Sequence, residues 1–115
     1  MKPKIHRILS WAVVGLSVLH IGAAPAIFSE IKSSLAWFIG VGLMGLFLAF
    51  LNFIAARSVN DVLATRLTAS ANGLAVLFAC GNAVTDPVPQ TYVVIALFVA
   101  LALSAPTVVT TSSKA

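Results

Sequence analysis

The chain has 115 residues, of which sixty per cent are hydrophobic and nine per cent charged, with a mean hydropathy of +1.06. Soluble domains carry roughly a quarter charged residues, so this composition lacks the polar surface that a water-facing globule needs. The net charge of +4 does not point to nucleic acid, because the sequence holds no Lys/Arg block interleaved with aromatics.

Four uncharged, mostly apolar runs, Ile8–Phe28, Leu35–Ala56, Leu67–Val84 and Val88–Val109, fill the chain and predict four transmembrane helices at about 8–28, 35–56, 62–84 and 90–109. Each is near or above the roughly 18 to 20 residues that cross a bilayer core of about 30 Å. A single all-α domain covering 1–115 follows. Its short joints predict an antiparallel up-down-up-down bundle. The first run also has features of a signal peptide, with a basic leader before it and Ala24-Pro25-Ala26 near its end. Its length favours a retained helix instead. Pro25 predicts a break or an end near Ile21 and Gly22, and Trp11 and Trp37 suit the membrane interface.

In the joints, Ser34 is expected to cap the second helix, and Asn60 or Asp61 the third. The segment Thr85-Asp86-Pro87-Val88-Pro89 reads as a firm turn, with the fourth helix starting around Gln90 to Tyr92 and ending near Pro106. The tail Thr110 to Ala115 reads as frayed. Lys2, Lys4, Arg7, Arg57, Arg66 and Lys114 fall on one side of such a bundle, and only Lys32 on the other, beside Glu30. By the positive-inside rule both termini are cytoplasmic. The expected location is a bacterial inner membrane.

Small and polar residues mark the faces that meet, because lipid is as apolar as leucine and hydrophobicity alone cannot distinguish them. On the second helix that face is Gly42, Gly45, Ala49, Asn52 and Ala56. On the third it is Thr65, Ala69, Asn72, Ala79 and Ala83. Ser10, Ser17, His20 and Ala24 share a face of the first helix, and Ala96, Ala100 and Ser104 one of the fourth.

Polar groups at depth need partners. His20, Asn52, Arg66 and Asn72 are the candidate intramembrane polar positions. Matching depths at about 1.5 Å per residue predicts a His20–Asn72 contact and a second cluster of Asn52, Arg66 and Ser10. His20 reads mainly as a neutral, hydrogen-bonded bundle residue, with ligand contact or proton handling as the functional alternative. His6 is assigned to the leader. Cys80, the only cysteine, reads as a buried small hydrophobe.

No catalytic constellation, cofactor motif or metal site is legible: H-E-x-x-H, G-x-S-x-G and Cys-x-x-Cys do not occur. The length and four-span layout resemble the small multidrug resistance transporters, but the first helix reads Val13-Val14-Gly15 and has no membrane-embedded glutamate. A looser layout likeness is to the DoxX-like four-helix membrane proteins. The expected function is that of a non-catalytic bundle, associating with itself or with a larger membrane complex. The alternative is an oligomeric small transporter or channel subunit. The lipid bilayer is the one partner that composition itself implies.

Overall fold

The computed structural model describes residues 2–107 as four α-helices: α1 Lys2–Ile27, α2 Ser33–Arg57, α3 Val62–Thr85 and α4 Pro89–Ser104. The first three are long and apolar enough to cross a membrane. The fourth has 16 residues, about 24 Å of helix, which is short of the roughly 30 Å hydrocarbon core. Prolines set both of its ends. Pro89 occupies the first turn, where its missing N–H costs nothing. Pro106 pushes Ala105 into an extended conformation (φ −62°, ψ 148°) and stops the helix. The frayed tail expected at 110–115 lies outside the described residues.

The joints are made by specific hydrogen bonds. Asp61 caps α3 by accepting from the Ala64 N–H at 3.0 Å, a bond worth about 1 kcal/mol. The cap of α2 falls on Lys32, whose side chain makes no capping bond. Ser34 is therefore not the cap: it already lies inside the first turn, and the Lys32 carbonyl accepts from the Leu35 and Ala36 N–H groups. Nor does α1 end at Gly22. It continues through Pro25 to Ile27, because a proline this close to a helix terminus removes only one bond from a ladder that is about to finish.

α1 packs against α2 and α4, and α3 against α2 and α4. The diagonal pairs, α1 with α3 and α2 with α4, make no backbone-level contact among the described residues. The four helices thus contact one another in a ring, α1 to α2 to α3 to α4 and back to α1, with Val13, Leu48, Ala49, Ala75 and Leu101 forming its core. Large apolar side chains such as Trp37 and Leu77 point outward, which is the arrangement expected where hydrocarbon is the solvent.

α1 and α2 approach each other closely. A Cβ added at Gly45 would overlap the Ser17 hydroxyl, and one at Gly42 would overlap the Ile21 side chain. These two glycines let the backbones draw together, as small residues do in membrane bundles. Gly15, Gly22, Gly40, Gly73 and Gly81 have nothing within 4 Å of an added Cβ and play no such part.

Candidate functional site

Among the described residues, seven of the nine buried polar ones (His6, Ser10, Asn52, Thr65, Thr68, Asn72 and Ser104) concentrate in one half of the ring, and Ser17 and Thr91 lie in the other. At its centre Asn52 and Asn72 exchange two hydrogen bonds. Asn52 Nδ2 donates to Asn72 Oδ1 at 2.8 Å, and Asn72 Nδ2 donates to Asn52 Oδ1 at 3.0 Å. The second Asn52 proton goes to the Leu48 carbonyl at 2.8 Å. The two residues are 0% and 1% exposed, so the amides satisfy one another where no solvent reaches. Thr68 Oγ1 donates to the Leu51 carbonyl and ties α3 to α2 a second time.

The expected His20–Asn72 contact does not form. α1 and α3 lie diagonally across the ring, so the two side chains would have to meet through its centre. His20 instead donates from Nε2 to the Phe38 carbonyl at 2.9 Å and stacks on the Phe38 ring with centroids 3.8 Å apart. It is a partly buried residue that pins the end of α1 to the start of α2. Phe28 meets the same Phe38 ring edge-on at 5.3 Å.

Arg66 does not join Asn52 either. It is exposed on α3, six residues before Asn72, and six residues turn a helix by about 600°, which is well off the inward face. Thr65 and Thr68 face inward in its place. Ser10 is buried, but its hydroxyl donates to the His6 carbonyl on its own helix at 2.8 Å. Of the four candidate positions, Asn52 and Asn72 are brought together, while His20 and Arg66 lie apart from them.

His6 is the site residue that the sequence reading missed. It is 1% exposed, not a leader residue, and its Nδ1 lies 2.9 Å from Ser104 Oγ. The Ser104 hydroxyl donates its one proton to the Leu101 carbonyl at 3.1 Å. The Nε2 on the other side of the ring is buried and meets no hydrogen-bond partner among the described residues. The available signal was spacing: counting back four residues from Ser10 along the buried face that includes Val13, Ser17 and Ala24 arrives at His6.

The inward faces differ from the expected stripes in detail. On α2, Gly42, Gly45, Ala49 and Asn52 are buried, but Ala55 takes the place of Ala56. On α3, Ala75 lies inside and Ala69 outside. On α4, Thr91, Leu101 and Ser104 face inward while Ala96 is exposed. Cys80 is exposed, not buried.

The other half of the ring is open. A cavity of about 900 Å³ lies among all four helices, with Val13, Leu48 and Ala75 at its inner end and Ile27, Asp86 and Val88 at its outer end. Phe38, Phe47, Phe78 and Phe98 contribute to an almost wholly apolar wall. Leu19, Leu74 and Val93 line it and are also 72%, 67% and 60% exposed. The cavity therefore opens sideways between helices onto the apolar flank of the ring. Its few polar groups sit towards the outer end: His20, Asn82, Asp86, Gln90 and Thr91, with Ser17 deeper. Chemically this is a receptacle for an apolar body. Among the described residues no group of three or more His, Cys, Asp or Glu is placed to hold a metal ion.

Comparison with protein-family models, with curated proteins and with solved structures gives no match.

Proposed function

We propose that this chain is a four-span, non-catalytic protein of a plasma membrane that receives an apolar molecule from the lipid phase in its open half. The observation that carries this reading is the laterally open apolar cavity among the four helices. Its volume falls within the usual range for small-molecule sites, about 300–1,000 Å³, and its opening faces hydrocarbon, so the ligand partitions into the bilayer first. The polar half serves as the fixed base that holds the helices apart in this geometry. Association with a second copy or a larger complex has less support. The small-residue seam of α2 that suggested it is consumed inside the chain, where Gly42 and Gly45 face α1 and Asn52 faces α3.

The proposed arrangement is up-down-up-down with both termini cytoplasmic, supported by the basic residues gathered at one end. Single cysteines in a Cys80→Ala background test it. Ile31→Cys, at a position 96% exposed, is expected to react with a membrane-impermeant maleimide on intact cells, and Val59→Cys only after permeabilisation. The opposite pattern reverses the topology.

For the cavity, a diazirine-bearing fatty acid photolysed in liposomes is expected to label Leu51 and Phe98 as well as the outer perimeter. Those two lining residues are half-buried, and Phe98 packs against the core of the ring. Val94→Trp and Leu74→Trp, each filling the cavity from a different helix, are expected to suppress that internal labelling. Labelling confined to the perimeter rules out the cavity as a binding site.

A further inference from the structure

The cavity has a length, a polarity and a charge, and together these specify its ligand more narrowly than apolarity alone. Its wall extends along α1 from Val13 to Ile27 and along α3 from Ala71 to Asp86, about 20 Å of helix in each case. One leaflet of a bilayer core is about 15 Å deep. The wall thus matches one leaflet's acyl chain with a few ångströms left for the start of a headgroup. Asp86 stands at the level where the headgroup would lie, just beyond the last residue of α3.

Among the described residues Asp86 is also the only carboxylate that lines the cavity, and no lysine or arginine does. Its backbone is engaged, since the N–H donates to Asn82 and the carbonyl accepts from Thr91 Oγ1. Its carboxylate makes no hydrogen bond or ion pair among the described residues; the one salt bridge found joins Lys32 to Glu30. Asn82, Gln90 and Thr91 add neutral hydrogen-bonding groups at the same end. An anionic headgroup would meet an uncompensated negative charge there. An ammonium would meet its complement, with amide groups beside it.

Building on the binding function proposed above, we propose that the cavity holds the acyl chain of a bilayer lipid whose headgroup places a primary ammonium against Asp86, that is, an aminophospholipid such as phosphatidylethanolamine. Charge complementarity at the mouth selects the headgroup, while the apolar wall accepts the chain without regard to it.

The test is native mass spectrometry of the full-length protein released from micelles containing equal amounts of phosphatidylethanolamine and phosphatidylglycerol with identical chains. The basic residues at the opposite end attract anionic lipid on their own account, so the quantity read is the change in the ratio of the two adducts between variants. Asp86→Asn is expected to lower the ethanolamine-to-glycerol ratio about fivefold, the scale of a charge contact at a wet interface. It should do so while total lipid bound stays the same. Val94→Trp and Leu74→Trp are expected to remove the ethanolamine adduct. A ratio unchanged by Asp86→Asn overturns the headgroup assignment. If internal photolabelling of Leu51 and Phe98 persists in that case, the cavity still binds lipid and only the ammonium preference is lost. If both measurements fail, the binding reading falls with it.

Discussion

Replacing Asn52 with leucine costs about 2 kcal/mol, and replacing Asn72 as well restores part of that loss. The single change keeps the γ-branched shape and heavy-atom count of the side chain but strands the Asn72 amide at a position 1% exposed. A buried polar group that loses its partner carries the full desolvation penalty, about 1–3 kcal/mol. In the double variant Asn52→Leu/Asn72→Leu neither amide remains to be stranded. A coupling energy of about 1 kcal/mol is therefore expected from the cycle, towards the upper part of the range for hydrogen bonds between membrane helices. Reversible unfolding in mixed micelles, followed by circular dichroism, measures it. Strictly additive single costs would show that the two amides find their partners elsewhere.

The second large effect is expected at Gly45. An alanine there puts its Cβ into the Ser17 hydroxyl, with Ser17 Cβ only 3.3 Å away. Both residues lie on rigid helices, so the overlap is relieved by rotating Ser17 or by separating α1 from α2. Overpacking of this kind costs about 1–3 kcal/mol. Ser17→Ala in the same chain removes the overlapping oxygen and is expected to recover most of the loss. Gly15→Ala, with nothing within 4 Å, serves as the control and is expected to leave stability unchanged or raise it by up to about 1 kcal/mol, the helix-propensity gain of alanine over glycine. The same micelle unfolding assay checks all three. A Gly45→Ala protein as stable as the parent would mean that α1 and α2 do not approach this closely.

The helices were legible in the sequence because hydropathy and prolines act locally. Runs of apolar residues mark α1 to α3, and Pro89 and Pro106 bound α4. The inward face of α2 was also readable, since Gly42, Gly45, Ala49 and Asn52 recur at the spacing of a helix seam. Pairing was harder. Whether Asn72 meets His20 or Asn52 depends on which helices are diagonal in the ring, and no single-helix pattern encodes that. Arg66 was drawn into the polar cluster by depth alone, although rotation about the helix axis takes it outward. His6 was missed because its neighbours Lys2, Lys4 and Arg7 look like a solvated leader, whereas the helix begins at Lys2 and turns His6 towards Ser104. The cavity had no sequence signature. It is lined by residues of all four helices, a property of the four together.

The shortness of α4 bears on the membrane as well as on the protein. With about 24 Å of helix beside neighbours of 24 to 26 residues, one flank of the ring is several ångströms shorter than the hydrocarbon it faces. The bilayer answers a short flank by thinning beside it, at a fraction of a kcal/mol per ångström of mismatch. The protein then carries a dimple in the lipid along α4, next to the mouth at Asp86, where headgroups ride lower than elsewhere. Thin bilayers accommodate that flank at the least elastic cost, so acyl-chain length becomes a variable that sets where in a membrane this molecule resides.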